Sequence, residues 1–139
     1  MIRGSCLCRR VRFEIHGKLG RSSHCHCSMC RKAHGAAFGS YAAVRAENCR
    51  VVAGEELILR YKSSPGVERT FCSRCGSTLQ FISEKNPGII DIALGVLDDD
   101  PGIRVPHHIF VASKAPWVEI TDTLPQYAER APKGPASGS

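Results

Sequence analysis

The sequence predicts a mostly β domain with little helix, and three observations lead to this prediction. Apolar and polar residues alternate over residues 11–15, a period of two that is typical of a strand with one face against a core. Short apolar segments rich in β-branched and aromatic residues follow at near-regular spacing, separated by Gly and Pro. Helical patterns are confined to two short segments.

The predicted strands can be justified in chain order. In the first, Val11, Phe13 and Ile15 form the apolar face. The next two are expected to face each other across a turn in which Pro65 and Gly66 supply the conformation. The segment 89–96 is apolar enough to be a central strand. After the first, the predicted strands cover residues 57–61, 67–71, 78–82, 89–96 and 108–111.

Two short helices are predicted. One covers residues 28–34 with Ser28 as its N-cap, and the other covers residues 125–130 with Pro125 at its first position. Residues 131–139 have no large apolar side chain. We therefore expect residues 1–125 to form a single domain and residues 126–139 to be a short helix or a disordered Pro/Gly/Ser tail.

Composition excludes several classes of protein. The chain has 139 residues, of which 42% are hydrophobic and 23% charged, so a disordered or fibrous protein is excluded. No apolar run approaches the roughly 18 residues of a membrane span. The first residues, from Met1 to Cys6, lack the pattern of a secretory signal, so we expect a cytoplasmic protein with reduced thiols.

Basic residues are concentrated in the first part of the chain. Residues 1–50 contain ten Lys and Arg but only two acidic residues, Glu14 and Glu47. This excess could attract nucleic acid or an anionic small molecule, could offset thiolate charge, or could be a solvated face. Aromatic residues are only 6% of the chain and form no stacking platform, so nucleic acid is not an expected partner.

Two cysteine pairs predict a closed structural metal site. Cys72 and Cys75 have the spacing with which two thiolates chelate one ion from a tight turn, and Gly76 permits the turn conformation. Cys6 and Cys8, which lie just before the first predicted strand, are the expected other half of a tetrahedral Cys₄ zinc site. A thioredoxin-like redox motif is disfavoured because no βαβ pattern surrounds the pair.

The segment Cys25-His26-Cys27-Ser28-Met29-Cys30 predicts a different site. Its three thiolates can reach one ion and leave a fourth position open, which is typical of catalytic zinc. Two alternatives remain at this point. His24, His26 or His34 could close the site, or all seven thiols could form a two-metal cluster. The eighth cysteine, Cys49, is expected to be a small buried apolar residue.

Four segments together resemble the glutathione-dependent formaldehyde-activating enzyme family, which includes centromere protein V relatives. They occur in the family's order and run from about Gly4 to Trp117. The segments are Gly4-Ser5-Cys6-Leu7-Cys8 with Val11-Arg12-Phe13, Cys25-His26-Cys27-Ser28-Met29-Cys30-Arg31-Lys32 with Gly35, Phe71-Cys72-Ser73-Arg74-Cys75-Gly76-Ser77, and Pro106-His107-His108-Ile109-Phe110-Val111-Ala112-Ser113-Lys114-Ala115-Pro116-Trp117.

The resemblance implies an Mss4-like β-tent of antiparallel sheets that binds two zinc ions. It implies carbon–sulfur lyase activity on S-hydroxymethylglutathione, the adduct of glutathione and formaldehyde, with a glutathione-like thiol as partner. By this likeness the structural ligands are Cys6, Cys8, Cys72 and Cys75, and the catalytic zinc ligands are Cys25, Cys27 and Cys30.

Cationic side chains are expected near a substrate that carries two carboxylates. Arg31 and Lys32 directly follow the three cysteines, and Lys114 lies in the last matching segment. The paired cysteines and the basic first part of the chain also suit a different class of protein, a non-catalytic, zinc-stabilised binding module for nucleic acid or protein. Tight, salt-dependent binding would favour that alternative, whereas turnover of a thiol–aldehyde adduct would favour the enzyme.

Overall fold

The computed structural model describes residues 1–133, which form ten β-strands, one α-helix and short 3₁₀ turns. The elements in chain order are β1 (Ile2–Ser5), β2 (Arg12–Ile15), β3 (Ser22–Cys25), α1 (Ser28–His34), β4 (Gly39–Arg45), β5 (Cys49–Ala53), β6 (Ile58–Ser64), β7 (Val67–Cys72), β8 (Thr78–Ser83), β9 (Ile89–Ala93) and β10 (His108–Ile109).

The strands form two sheets. The smaller has the order β1-β2-β5, and the larger has the order β10-β3-β4-β9-β8-β7-β6. All pairs between these strands are antiparallel except β10 with β3, which is parallel. The prediction of a mostly β fold with antiparallel sheets and little helix is therefore confirmed. No helix among the described residues is long and apolar enough to cross a membrane.

The main core lies between the two sheets. Phe13 and Ile15 of β2 pack with residues of β4 and β9, and the fully buried members of this cluster include Ala42 and Ile92. Gly4 of β1 pairs with Phe13, and a Cβ at Gly4 would lie 2.1 Å from the Phe13 ring. The absence of a side chain at Gly4 thus lets the aromatic ring fill the space between the sheets.

Several sequence expectations need correction. The N-cap of α1 is Cys27 rather than Ser28, and its sulfur accepts a hydrogen bond from the Cys30 amide. The predicted strand 89–96 ends at Ala93 because Leu94–Val96 is a 3₁₀ turn. The predicted strand 108–111 is shortened to His108–Ile109, and Val111–Ser113 is another 3₁₀ turn.

The helix predicted for residues 125–130 is wrong. This segment runs beside β10 instead: the His108 amide donates to the Pro125 carbonyl at 2.9 Å, and the Tyr127 amide donates to the His108 carbonyl at 3.0 Å. Pairing with β10 satisfies backbone groups that a single helical turn would leave largely unpaired. The other part of the C-terminal prediction, a disordered tail within residues 126–139, falls partly on residues 134–139, which lie outside the described residues.

Candidate metal centres

The structure brings together the four cysteines of the two predicted pairs. Cys6 and Cys8 lie in the loop after β1, Cys72 ends β7, and Cys75 lies in the turn before β8. Their four sulfur atoms lie within 4.8 Å of one another. Cys6 Sγ is 3.5 Å from Cys8 Sγ, which is 3.9 Å from Cys72 Sγ. Tetrahedral zinc with Zn–S bonds of about 2.3 Å requires sulfur separations of about 3.8 Å, so this group fits zinc.

Two tight turns present these sulfurs. In the first, the Arg9 amide donates to the Cys6 carbonyl, Arg9 itself has a φ of 63°, and the Val11 amide donates to Cys6 Sγ at 3.3 Å. In the second, the Gly76 amide donates to the Cys72 carbonyl at 2.7 Å, and Gly76 has a φ of 80°. The left-handed backbone at Gly76 is the conformation that the sequence predicted.

Ser77 links the two turns across the site. Its hydroxyl accepts a hydrogen bond from the Leu7 amide at 2.9 Å and lies 3.3 Å from Cys75 Sγ. The contact with Ser77 lowers the pKa of Cys75 to about 5. A thiol ionised near neutral pH is the form that binds a metal ion. Ser77 therefore both joins the two halves of the four-cysteine group and prepares one of its ligands.

The three remaining clustered cysteines form a second, separate group. Cys25 ends β3, Cys27 caps α1, and Cys30 lies in the first turn of that helix. Their sulfurs also lie within 4.8 Å of one another. Cys25 and Cys30 are buried and Cys27 is half-buried. The seven sulfurs thus divide into two groups, and the alternative of a single two-metal cluster is not supported.

Hydrogen bonds within the three-cysteine group ionise its central sulfur first. The Cys25 and Cys30 thiols, followed by the Cys30 amide, hold the pKa of Cys27 at about 2. The same interaction with Cys27, together with that of Cys30, raises the pKa of Cys25 well above its usual range. Three sulfurs this close cannot all be anionic without a cation, so the geometry and charge of the group fit a divalent, thiophilic metal.

The three histidines that could have closed this group have other partners. No histidine nitrogen within residues 1–133 joins the three sulfurs as a possible ligand. His24 Nδ1 lies 2.7 Å from Ser40 Oγ, and His34 Nε2 lies 2.7 Å from Tyr41 Oη. His26, which follows β3, contacts His108 instead. The group is therefore a three-sulfur site to which the described residues supply no fourth ligand.

His26 begins a buried polar chain that reaches the surface. The fully buried His26 has its Nε2 at 2.8 Å from His108 Nδ1, and His108 Nε2 lies 2.9 Å from an Asp122 carboxylate oxygen. Burial, followed by the charge of His108, lowers the pKa of His26 to about 4. Because His26 lies between Cys25 and Cys27, this chain anchors the loop that carries two of the three sulfurs.

A buried arginine lies beside the three-cysteine group, and the sequence analysis missed it. Arg69 of β7 is only 8% exposed, and its two terminal nitrogens lie 3.8 and 3.7 Å from Cys30 Sγ. One of them also donates to Tyr41 Oη at 3.1 Å. The signal was present in the alternation of β7, where Arg69 shares a face with Val67 and Phe71 and so is directed inward.

The predicted substrate-contacting cations occupy three different settings. Arg31 in α1 is half-buried, and its Nε has no hydrogen-bond partner among the described residues. Lys32 is exposed on the same helix. The Lys114 ammonium donates to the carbonyl oxygens of Ala115 and Val118 in its own loop. Arg31 and Lys32 are thus free of ion pairs in the part of the chain described, whereas Lys114 is held by its loop.

Cys49 lies apart from both groups. It is half-buried in β5 and packs against the main core, and burial raises its pKa to about 11. A protonated thiol in this setting behaves as a small apolar side chain, as the sequence predicted.

An open groove of about 310 Å³ lies between the end of α1 and the turn that carries Cys75. His34 of α1 lines it together with Cys75 and Ser77 of the second turn, and Gly95 and Val96 follow β9. A Cβ at Gly95 would meet no atom within 4 Å, so the space above it is open. The groove thus runs beside the end of α1, and Cys25, Cys27 and Cys30 do not line it.

Comparison with known proteins gives three findings. The family model described as glutathione-dependent formaldehyde-activating enzyme matches residues 1–113. A Halomonas elongata protein provisionally given that same name is 35% identical over 132 residues, covering 86% of this chain and 81% of the relative. An uncharacterized lyase of Schizosaccharomyces pombe is 32% identical over 90 residues, covering 63% of this chain and 64% of that protein.

A solved structure shares the fold. The crystal structure of a Rhodobacter sphaeroides protein superimposes with a TM-score of 0.60 and 26% sequence identity, covering 73% of this chain and 90% of that one. The similarity thus extends over most of the two-sheet architecture described above.

Proposed function

Because the chain belongs to the glutathione-dependent formaldehyde-activating enzyme family, we propose that it is a zinc-dependent carbon–sulfur lyase acting on a glutathione–aldehyde adduct such as S-hydroxymethylglutathione. The observation that carries this proposal is the three-cysteine group, whose sulfurs lie within 4.8 Å of one another with no fourth ligand from the described residues. Three protein ligands and an open position are typical of catalytic zinc.

The proposed reaction balances without an oxidant or reductant. In the cleavage direction the C–S bond of the adduct breaks, its electron pair stays on sulfur, and the hydroxyl proton is released as formaldehyde forms. The reverse direction joins a thiolate to formaldehyde and protonates the resulting oxygen. A bound zinc ion supplies Lewis acidity toward an oxygen or a sulfur of the substrate.

Different residues of the chain would have different roles in this reaction. Cys25, Cys27 and Cys30 would hold the catalytic ion on the end of β3 and the start of α1. His34 lines the groove, and its Nε2 lies 2.7 Å from Tyr41 Oη. We further propose that Cys6, Cys8, Cys72 and Cys75 hold a second, structural zinc ion in a closed site.

The expected partner is a glutathione-like thiol or its aldehyde adduct. Its two carboxylates require cations, and Arg31 and Lys32 directly follow the three cysteines in sequence and have no ion pair within residues 1–133. Lys114 is a weaker substrate contact because its ammonium already donates to two carbonyl oxygens. We place the reaction in the cytoplasm, where the thiols of eight free cysteines stay reduced and glutathione is abundant.

The test is catalysed exchange between formaldehyde and its glutathione adduct. Exchange NMR with ¹³C-formaldehyde measures the rate with zinc-loaded protein above the spontaneous rate. We expect Cys27→Ser to lose one zinc ion per chain and the catalysed exchange while keeping the fold. Cys49→Ser is the matched control and should keep both zinc ions and full activity, because Cys49 lies outside both groups.

Two results would contradict the proposal. Global unfolding of Cys27→Ser would show that the three-cysteine group is structural. A zinc-loaded chain that gives no acceleration with any thiol–aldehyde pair would favour the non-catalytic binding module instead. In that case a steep salt dependence of binding to an oligonucleotide would identify nucleic acid as its partner.

A further inference from the structure

Arg69 is a buried cation that lacks a carboxylate partner. The ion pairs found within residues 1–133 do not include it, although its side chain is only 8% exposed. A buried guanidinium without a counter-ion is strongly unfavourable. The anion that faces it is the three-cysteine group, since two of its nitrogens reach Cys30 Sγ at 3.7 and 3.8 Å.

The contacts of Arg69 hold the guanidinium in one orientation. Its Nε donates to Ser63 Oγ at 3.2 Å, and its Cζ lies 5.0 Å from the centre of the Phe81 ring. One terminal nitrogen donates to Tyr41 Oη at 3.1 Å. Because a guanidinium can only donate, the Tyr41 oxygen accepts this bond and its own proton remains available to His34 Nε2 at 2.7 Å.

From these contacts we infer that Arg69 is a positioning residue for the three-cysteine centre: it acts through Cys30 to offset the centre's negative charge and to hold its sulfur. Three thiolates and a divalent ion leave one net negative charge, which one guanidinium cancels. The inference rests on the metal-binding part of the proposed function, because it needs a metal ion on these thiolates.

Two consequences follow for the centre. N–H···S bonds withdraw electron density from the sulfur, so the ion stays a stronger Lewis acid than three unassisted thiolates would leave it. The positive charge also makes the centre neutral overall, so an anionic thiolate or an electron-rich oxygen can approach without repulsion. Neither consequence requires Arg69 to touch the substrate.

The experiment uses the full chain loaded with cobalt(II), whose sulfur-to-metal charge-transfer band reports the electron density on the thiolates. Subtracting the spectrum of Cys27→Ser isolates the band of the three-cysteine centre. In Arg69→Met we expect this band to shift to longer wavelength, because the sulfur loses two N–H donors. With zinc, kcat for adduct exchange should fall about 10–100-fold while KM changes little.

Controls separate this role from general damage to the fold. Arg60→Met makes the same change at an arginine of neighbouring β6 whose side chain is 58% exposed and pairs with Glu68, so it should match the wild type in every readout. Arg69→Lys keeps the positive charge but loses the bidentate donor geometry of the guanidinium. Its band position and kcat should therefore lie between those of the wild type and Arg69→Met. If Arg69→Met fails to fold, Tyr41→Phe tests the same network, because it removes a hydrogen-bond acceptor that orients Arg69. The charge-transfer band of Tyr41→Phe should then shift in the same direction by a smaller amount.

The results of this experiment distinguish a failure of the inference from a failure of the proposed function. A band at the wild-type position in Arg69→Met, or a loss of activity that lies entirely in KM, overturns the inference. A shifted band in a chain that has no lyase activity supports the inference and refutes the proposed function, because the cobalt spectrum requires no substrate. A wild-type chain with no cobalt band that depends on Cys27 refutes both.

Discussion

Replacing Cys72 with serine is expected to destabilise the whole domain. The Cys72 side chain is completely buried, and its sulfur belongs to the four-cysteine group, where it packs with Cys6, Val11 and Leu79. This cluster closes the end of β7 against the loop after β1, so the proposed zinc ion joins segments that are far apart in the sequence. Weaker binding of the ion therefore loosens both sheets rather than one turn.

The size of the effect can be worked out from the ligand set. Structural zinc contributes about 10–16 kcal/mol of folding free energy, so an even share for each of four thiolates is about 3 kcal/mol. A buried serine hydroxyl without a partner adds about 1–3 kcal/mol. The expected loss of about 4–6 kcal/mol is a large part of the roughly 5–15 kcal/mol by which domains are stable. At about 3–5 °C per kcal/mol for a domain of this size, Tm should fall by about 12–30 °C.

The assay is thermal unfolding of zinc-loaded protein followed by circular dichroism. Cys49→Ser is the matched control: it makes the same atomic change at a half-buried cysteine outside both groups and should cost about 1 kcal/mol. A Cys72→Ser chain that melts within a few degrees of the wild type would refute the structural role of the site. An equal fall in Cys49→Ser would show that the chain is merely sensitive to cysteine replacement.

Two further predictions concern packing and pH. Gly4→Ala places a methyl group 2.1 Å from the Phe13 ring, so the free energy of unfolding measured in urea titrations should fall by about 1–3 kcal/mol. Gly95→Ala is the control: its methyl group meets no atom within 4 Å, and the free energy of unfolding should change little. The pKa of His26 is lowered from 6.5 to about 4, so the unfolded chain takes up this proton first and stability should fall as pH drops through that interval. Burial also lowers the pKa of His24, His34 and His107, so this fall should be reduced in His26→Gln and unchanged in His16→Gln. An undiminished fall in His26→Gln would refute the contribution of His26.

Six of the ten strands could be predicted from local pattern, and the four that were missed are β1, β3, β4 and β5. β4 was missed because its centre is rich in alanine, a residue with low strand propensity. In the structure, Ala42 and Ala43 are fully buried on an interior strand of the larger sheet, so tertiary burial overrides the low propensity. The helix predicted for residues 125–130 failed for a related reason, since a long-range partner, β10, was available for its backbone.

Short spacings determined the candidate ligands. Cys25, Cys27 and Cys30 are close because one strand end and one helical turn bring them together, and the geometry of such a short segment leaves few alternatives. The partner of the Cys72 turn was also predictable, because a tetrahedral ion needs four ligands and Cys6 with Cys8 was the one other spare pair.

What the sequence by itself determined, then, was chemistry that is encoded locally: the strand-rich class, the two groups of thiols and their division into four and three. The tertiary structure alone decided which side chains surround them. Arg69 lies 39 residues from Cys30 and 28 from Tyr41 in the chain, and they meet because the order of strands in the larger sheet and the attachment of α1 bring them there. Strand order reflects the burial of the whole core, a sum over many distant contacts that no short segment contains.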